Sequence, residues 1–454
     1  MVAQLGLAIG LAISNVAASS IGAVSAANSS ALAGHWTGAV SRDGAIQILD
    51  VDLHGDGQTL AGTFDIPELG LYREPLTDLA LEGDAFALHF LYGTFHTVLR
   101  ADVDEITGIN SDWGPPVRIH LKRAEPRAAL RYEEVRFENG GAKLVGTLVL
   151  PARVQRAAVL PAVVVLAGSS PQGRHDGKSA WTYRSWGEIS AEHGVAALVY
   201  DKRGIGESNG DIATASFDDQ AGDVVAAIDV LARHPSIDAK HIGLIGISQG
   251  GWVAPIVAVR DPRVAFVVLD VGPAVSVREQ ELDRVENTLR ANGSSEEEIA
   301  AATAYTRSML DTAYGERSWK EFEPIAKDAA AKPWAQHVDV AAKPSDLEWW
   351  KRHEYDPSQT LARLKCPLLA LFGAEDPLVP PRKNALLMQE LLRKAGNPDV
   401  TLRTFPGVEH GCEVPRRLTG DDWAWPKSYW VWSKKASGFY ATIFEWIAKR
   451  TSSD

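Results

Sequence analysis

His241-Ile242-Gly243-Leu244-Ile245-Gly246-Ile247-Ser248-Gln249-Gly250-Gly251 is the stretch on which the fold turns. An unbroken apolar run ends in Gly-x-Ser-x-Gly and leads straight into a helical pattern. Such a run suits a parallel strand buried on both faces. The pentapeptide suits a sharp strand-to-helix turn, on which Ser248 holds a strained backbone and exposes its hydroxyl. Gly246 and Gly250 leave room for close approach, and the Gln249 N–H at the start of the helix can face an oxyanion. Alone, the pentapeptide is an ordinary Gly/Ser turn; between strand and helix it predicts a nucleophile. One residue pulls the other way. Pro255 falls inside the helix, where proline normally kinks or breaks it.

Outward from this stretch, Val163–Leu166, Ala196–Tyr200, Phe266–Leu269 and Leu368–Phe372 are further continuous apolar runs. Helical segments separate them, for example Asp218–Arg233 with Val224, Val225, Ile228 and Leu231 at helical spacing. Strand–helix alternation predicts a doubly wound, mostly parallel α/β sheet over residues 128–454, opened by a hairpin of Glu133–Phe137 with Lys143–Leu150. The alternation stops at about 278–364, a charged, Ala- and Glu-rich helical stretch. Asn292-Gly293-Ser294-Ser295 followed by Glu296 marks a helix stop and restart there. Inserted between two core strands, this segment reads as a helical cap above their C-terminal ends.

A serine hydroxyl needs a base, and the base needs an orienting acid. His410 lies in Phe405-Pro406-Gly407-Val408-Glu409-His410-Gly411, after the predicted last strand Thr401–Phe405. His337 and His353 fall in the cap and are expected to face solvent or pack locally. Asp376, in Gly373-Ala374-Glu375-Asp376-Pro377, follows the strand Leu368–Phe372 and reaches the same rim as Ser248. Asp270, at the end of the preceding strand, is the alternative acid; Glu375 reads as a solvated neighbour. The second oxyanion donor is expected from Ala167-Gly168-Ser169-Ser170-Pro171, at Ser169 or Ser170.

Taken in order, LVGTLVLP (Leu144–Pro151), GSSPQGR (Gly168–Arg174), YDKRGIGES (Tyr200–Ser208), the Ser248 turn, the Asp376 segment and Pro406–Gly411 give the resemblance. Over roughly Tyr132 to Arg450 the chain resembles bacterial α/β-hydrolase esterases related to the serine aminopeptidase and dienelactone hydrolase-like groups. The resemblance implies an α/β-hydrolase fold and makes Gly204-Ile205-Gly206 a structural turn near the active site. That turn also lacks the Lys-Ser/Thr of a phosphate loop. Many relatives carry His-Gly where this chain has Ala167-Gly168.

Beyond His410 the chain turns strongly aromatic, in Trp423-Ala424-Trp425-Pro426-Lys427-Ser428-Tyr429-Trp430-Val431-Trp432. These rings either pack a loop against the cap or, with Trp349-Trp350, form an aromatic wall in which Trp423 and Trp425 bind a bulky apolar substrate. No metal-binding spacing of His, Cys or carboxylates occurs, so neither a metal nor another cofactor is expected.

Residues 31–124 read differently. Ile46 and Ile48, Val51 and Leu53, and Phe86, Leu88 and Phe90 alternate between turn signals such as His54-Gly55-Asp56-Gly57. This predicts a small antiparallel β-barrel or β-sandwich with Trp36 and Trp113 as core anchors, joined to the rest by a linker over Lys122–Arg127. Residues 1–26 hold no charged side chain and end in Val24-Ser25-Ala26, which reads as a signal peptide and predicts export; the basic residues usual before the apolar run are missing. No later run reaches membrane-spanning length, so no stable membrane insertion is expected. Cys366 and Cys412 fall at opposite ends of the predicted sheet and are expected to be free thiols.

With 45% hydrophobic and 23% charged residues over 454 positions, the chain can bury a large core. Its net charge of −12 leaves no basic surplus for nucleic acid. The function expected is a serine carboxylic ester hydrolase acting on a small-molecule ester through an acyl-enzyme. A peptidase or thioesterase with the same triad is the alternative. Glu281, Glu286 and Glu409 are candidate anchors for a substrate amino group. A binding protein with secondary hydrolase activity is the reading from another class. Oligomeric state has no sequence signal.

Overall fold

The structure, a computed structural model, describes residues 29–452 except 43–44, 56–59, 67–70, 83–84, 91–92, 101–103, 111–115, 126–128, 152–158, 170–172, 175–179 and 415–434. The leader, Trp113, Ser170, Trp423 and Trp425 lie outside the described residues.

From Gly34 to Ala124 the described residues form nine antiparallel strands in a single sheet. The sheet curls around one core holding Trp36, Val40, Leu49, Val51, Phe64 and Phe95. Among the described residues these strands run in one continuous hydrogen-bonded order. The Leu76 N–H donates to the Gly62 carbonyl at 2.9 Å, which carries the antiparallel pairing of Leu60–Ile66 with Leu71–Pro75 one residue past Pro75. Trp36 is fully buried, and its indole N–H donates to the Leu32 carbonyl at 2.8 Å.

Two details differ from the alternation read in the sequence. In the strand Ala45–Gly55 the inward set is Gln47, Leu49, Val51 and Leu53, and Ile48 points out at 47% exposure. With a side-chain period of two, Ile48 cannot share a face with Val51. Lys122 and Arg123, read as linker, finish the strand Val117–Ala124. Arg123 donates to the carbonyls of Ala31 and Ala33 and stacks its guanidinium 4.1 Å from the Trp36 ring centre.

The second sheet has eight strands: β1 (Arg131–Asn139), β2 (Ala142–Leu150), β3 (Leu160–Leu166), β4 (Ala196–Tyr200), β5 (Ile237–Ile247), β6 (Val264–Asp270), β7 (Leu368–Gly373) and β8 (Val400–Phe405). Their order in space is 1-2-4-3-5-6-7-8, with β2 antiparallel to its neighbours and β3 to β8 parallel. Both faces are covered, which explains the continuous apolar runs. Along β3, Ala162, Val164 and Leu166 enter one core, while Val163 and Val165 enter the other. The first core lies under α2 (Phe217–Arg233) and α3 (Gly250–Arg260), and it extends into the inserted helices. The second lies under α1 (Ala180–Glu192) and a C-terminal helix, Phe439–Thr451. Tyr72 of the nine-stranded sheet joins that second core, edge-on to Tyr440.

Between β6 and β7 the chain inserts α4 (Val277–Ala291), α5 (Glu296–Ala313), α6 (Trp319–Ala329) and several short helical turns. The stop and restart are well marked. Gly293 has φ +76°, and Ser295 and Glu298 form a reciprocal capping box at the start of α5. Pro255 does not break α3, which runs unbroken from Gly250 to Arg260. It forfeits one bond to the Gly251 carbonyl, and burial of Ala254, Pro255, Ile256 and Val257 in the core holds the helix regardless. Cys366 and Cys412 are both free thiols, and burial pushes Cys366 up to about 11.

Candidate active site

Ser248 sits between β5 and α3 with φ +50°, a left-handed conformation that costs a non-glycine residue about 1–3 kcal/mol. Its N–H donates to the Asp270 carbonyl at 2.9 Å, and its own carbonyl accepts from the Gly251 N–H at 2.7 Å. The glycines around it are required by close packing. A Cβ at Gly246 would meet the Gly250 carbonyl at 2.5 Å, and one at Gly250 would meet the Leu166 carbonyl at 2.5 Å. A side chain at either position would push the turn off the sheet.

His410 and Asp376 come to the same rim from the loops after β8 and β7. The two loops are laced by backbone bonds: Ala374 N–H to Phe405 O and Glu375 N–H to Val408 O, both 2.9 Å. Asp376 has a fully buried side chain. One of its oxygens accepts the N–H groups of Leu378 and Val379 at 2.8 and 2.9 Å, and the other faces His410 Nδ1 at 2.8 Å. Because that oxygen accepts, Nδ1 carries the proton. Nε2 is then free to accept from the Ser248 hydroxyl, 3.0 Å away. The imidazole is one-quarter exposed, so substrate can approach it.

Asp270 does not take this role. It is buried, one oxygen has no partner among the described residues, and burial pushes its carboxyl up while Lys435 and His410 pull it down. His353 packs locally, stacked on Trp349 with its Nδ1 2.7 Å from the Trp349 carbonyl.

A cavity of about 570 Å³ opens above Ser248. Ser169 and Gln249 line its floor, Trp349 and Trp350 come from the insertion, and Trp252 comes from α3. Glu281, Arg284 and Asp339 line it farther along the insertion. Of the three candidate amine anchors only Glu281 reaches this cavity, and Arg284 already holds both its oxygens, at 2.6 and 2.7 Å. Glu286 pairs with Arg290, and Glu409 is pushed up by partial burial and by Asp376 and Glu375.

Three parts of this site went unread in the sequence. Trp252 stands four residues after Ser248, a helical spacing that could have placed it beside the nucleophile. Arg174, buried, donates to both Asp201 oxygens and to Thr147, and it pairs with Glu207. It thereby locks the loop after β3 to the Gly204-Ile205-Gly206 turn. Lys202 donates from its Nζ to the carbonyl of Gly168, which lies beside Ser248.

Residues 140–403 match the family described as X-Pro dipeptidyl-peptidase (S15 family). A non-heme chloroperoxidase from Streptomyces lividans is 28% identical over 52% of this chain and 83% of its own length. The thiohydrolase aneE of Aspergillus aculeatus is 25% identical over 42% of this chain and 64% of its own. Among solved structures, the esterase PF2001 of Pyrococcus furiosus is 17% identical, with a TM-score of 0.43 covering 71% of this chain and 91% of that one. Because the matched residues span more than half the chain, the protein is a member of the S15 family and, with it, a hydrolase of the α/β-hydrolase superfamily.

Proposed function

We propose that the protein hydrolyses carboxylic esters through an acyl-enzyme on Ser248. One observation carries the reading: the Ser248–His410–Asp376 relay, with links of 3.0 and 2.8 Å, at the floor of a cavity of about 570 Å³. Ser248 Oγ attacks the acyl carbon as its proton passes to His410 Nε2. Asp376 holds the imidazole in the Nδ1–H tautomer and stabilises the imidazolium. The N–H groups of Ser169 and Gln249 bind the oxyanion. His410 then protonates the leaving alcohol, and water activated by the same imidazole releases the acid.

The native protein should take a fluorophosphonate label at Ser248 and hydrolyse p-nitrophenyl esters, and Ser248→Ala should abolish both. Absence of label on the native protein, or label surviving the substitution, sinks the proposal. The second reading is amide cleavage by the same machinery, favoured by the description of the family. Esters of increasing acyl length assayed beside X-Pro nitroanilides separate the two.

The apolar part of the cavity fits a bulky acyl or alcohol group, with Trp349 and Trp350 as its wall. Trp349→Ala should raise KM for long-chain esters about 10-fold and leave acetate esters within about 2-fold, the scale expected for lost aromatic contact area. Equal changes for both would remove the wall from the account. Export through residues 1–26 is proposed on the leader alone, and cell fractionation tests it.

A further inference from the structure

The Gly168–Ser169 peptide lies against the nucleophile. A Cβ at Gly168 would stand 3.6 Å from Ser248 Cβ, and Ser169 lines the cavity beside Ser248. Ala167 has no polar side chain with which to hold this peptide. The hold comes from the neighbouring strand. Lys202, two residues past the end of β4 and only 6% exposed, donates its Nζ to the Gly168 carbonyl oxygen. Lysine is almost never buried to this extent unless something holds it. Burial pushes the ammonium down to about 8, which leaves it mostly protonated at neutral pH. The adjacent Asp201 is committed elsewhere, to the Arg174 side chain and the N–H groups of Arg174 and Glu207.

A trans peptide points its C=O and its N–H in opposite directions. Anchoring the Gly168 carbonyl to Lys202 therefore turns the Ser169 N–H away from Lys202. The cation also lies behind the peptide, where its field strengthens the N–H as a donor to a negative charge. We propose that Lys202 is the positioning residue of the oxyanion site, fixing the Gly168–Ser169 peptide so that the Ser169 N–H meets the reacting carbonyl and backing it with positive charge. This inference rests on the hydrolase reading above, with Ser248 as nucleophile. Lys202 is not among the described residues that line the cavity, and it acts through the Gly168 carbonyl.

Lys202→Met removes donor and charge at similar volume, and Lys202→Gln keeps a donor without the charge. For p-nitrophenyl butyrate, Lys202→Met should lower kcat on the order of 30-fold with KM within about 2-fold, a fraction of the loss seen when an oxyanion donor is removed outright. Affinity for an alkyl boronic acid, which forms a tetrahedral adduct on the serine, should fall in parallel with kcat. Affinity for the product butyrate should not change. Lys202→Gln should recover part of both losses. Melting curves identify which variants keep the native fold, and if Lys202→Met does not, Lys202→Gln against wild type carries the test through its smaller, parallel loss of kcat and boronate affinity. Unchanged kcat in the folded variants overturns the inference, as does a loss confined to KM, or boronate affinity that stays at the wild-type value. A wild-type protein that takes no fluorophosphonate label refutes the underlying reading and this inference with it; a labelled wild type with equally fast labelling of the variants refutes only the inference.

Discussion

Asp376 and Asp270 stand at the ends of neighbouring parallel strands, both buried, both on the rim where Ser248 is displayed. Topology alone would let either serve as the acid. Their surroundings separate them. Asp376 lies in a loop that turns two backbone N–H groups onto one of its oxygens and leaves the other for His410. Asp270 ends its strand still in the ladder, its backbone carbonyl taken by the Ser248 N–H and one side-chain oxygen without a partner among the described residues. Donors favour the ionised form, and burial without donors disfavours it. A carboxylate that must face an imidazolium belongs where the backbone already stabilises its charge.

The largest effect expected from this contrast is that of Asp376→Asn. The amide cannot hold the Nδ1–H tautomer, and kcat for p-nitrophenyl esters should fall about 10³- to 10⁴-fold with the fold intact by circular dichroism. Asp270→Asn should cost less than about 10-fold, because it changes only the field around His410 and not its hydrogen bond. If Asp270→Asn proves as damaging as Asp376→Asn, the division of roles between the two strand ends is wrong.

The sequence exposed one side of this contrast more readily than the other. Ser248 and Asp376 follow apolar runs and His410 follows a strand of mixed polarity, Val400–Phe405; a parallel sheet delivers the positions after its strands to one edge, so strand boundaries sufficed to bring them together. Lys202 and Gly168 are 34 positions apart, on loops after β4 and β3. The sheet order 2-4-3-5 that makes them neighbours is not written in any local period. Arg174 is a similar case, since its partners come from two separate segments, Thr147 on β2 and Asp201 and Glu207 on the loop after β4. Ile48 shows the opposite failure: a local pattern existed, but its parity changed before Leu49, and only the register fixes which half faces the core.

A third buried carboxyl extends the comparison away from catalysis. Glu188, on α1 and fully buried, lines a cavity with Arg73 of the nine-stranded sheet. One of its oxygens accepts from the Tyr132 hydroxyl at 2.8 Å and from Arg184 Nε at 3.2 Å; the other, like that of Asp270, has no partner among the described residues. Burial pushes its carboxyl up to about 7, against the opposing pull of Arg184 and Tyr132. The folded state therefore holds this proton more tightly than the unfolded chain, whose carboxyl titrates near 4.5. The stability contributed by the neutral acid is complete below about 4.5 and is lost as pH rises through about 7. Glutamine mimics the neutral acid and keeps an oxygen for Tyr132 and Arg184. Glu188→Gln should match wild type in urea unfolding at pH 4.5 and become more stable toward pH 8, by on the order of 3 kcal/mol at most, since each pKa unit is worth about 1.4 kcal/mol. Its kcat should not move. Parallel stability curves across that range would mean that the second oxygen finds a donor in solution, and that Glu188 is held as Asp376 is and not as Asp270 is.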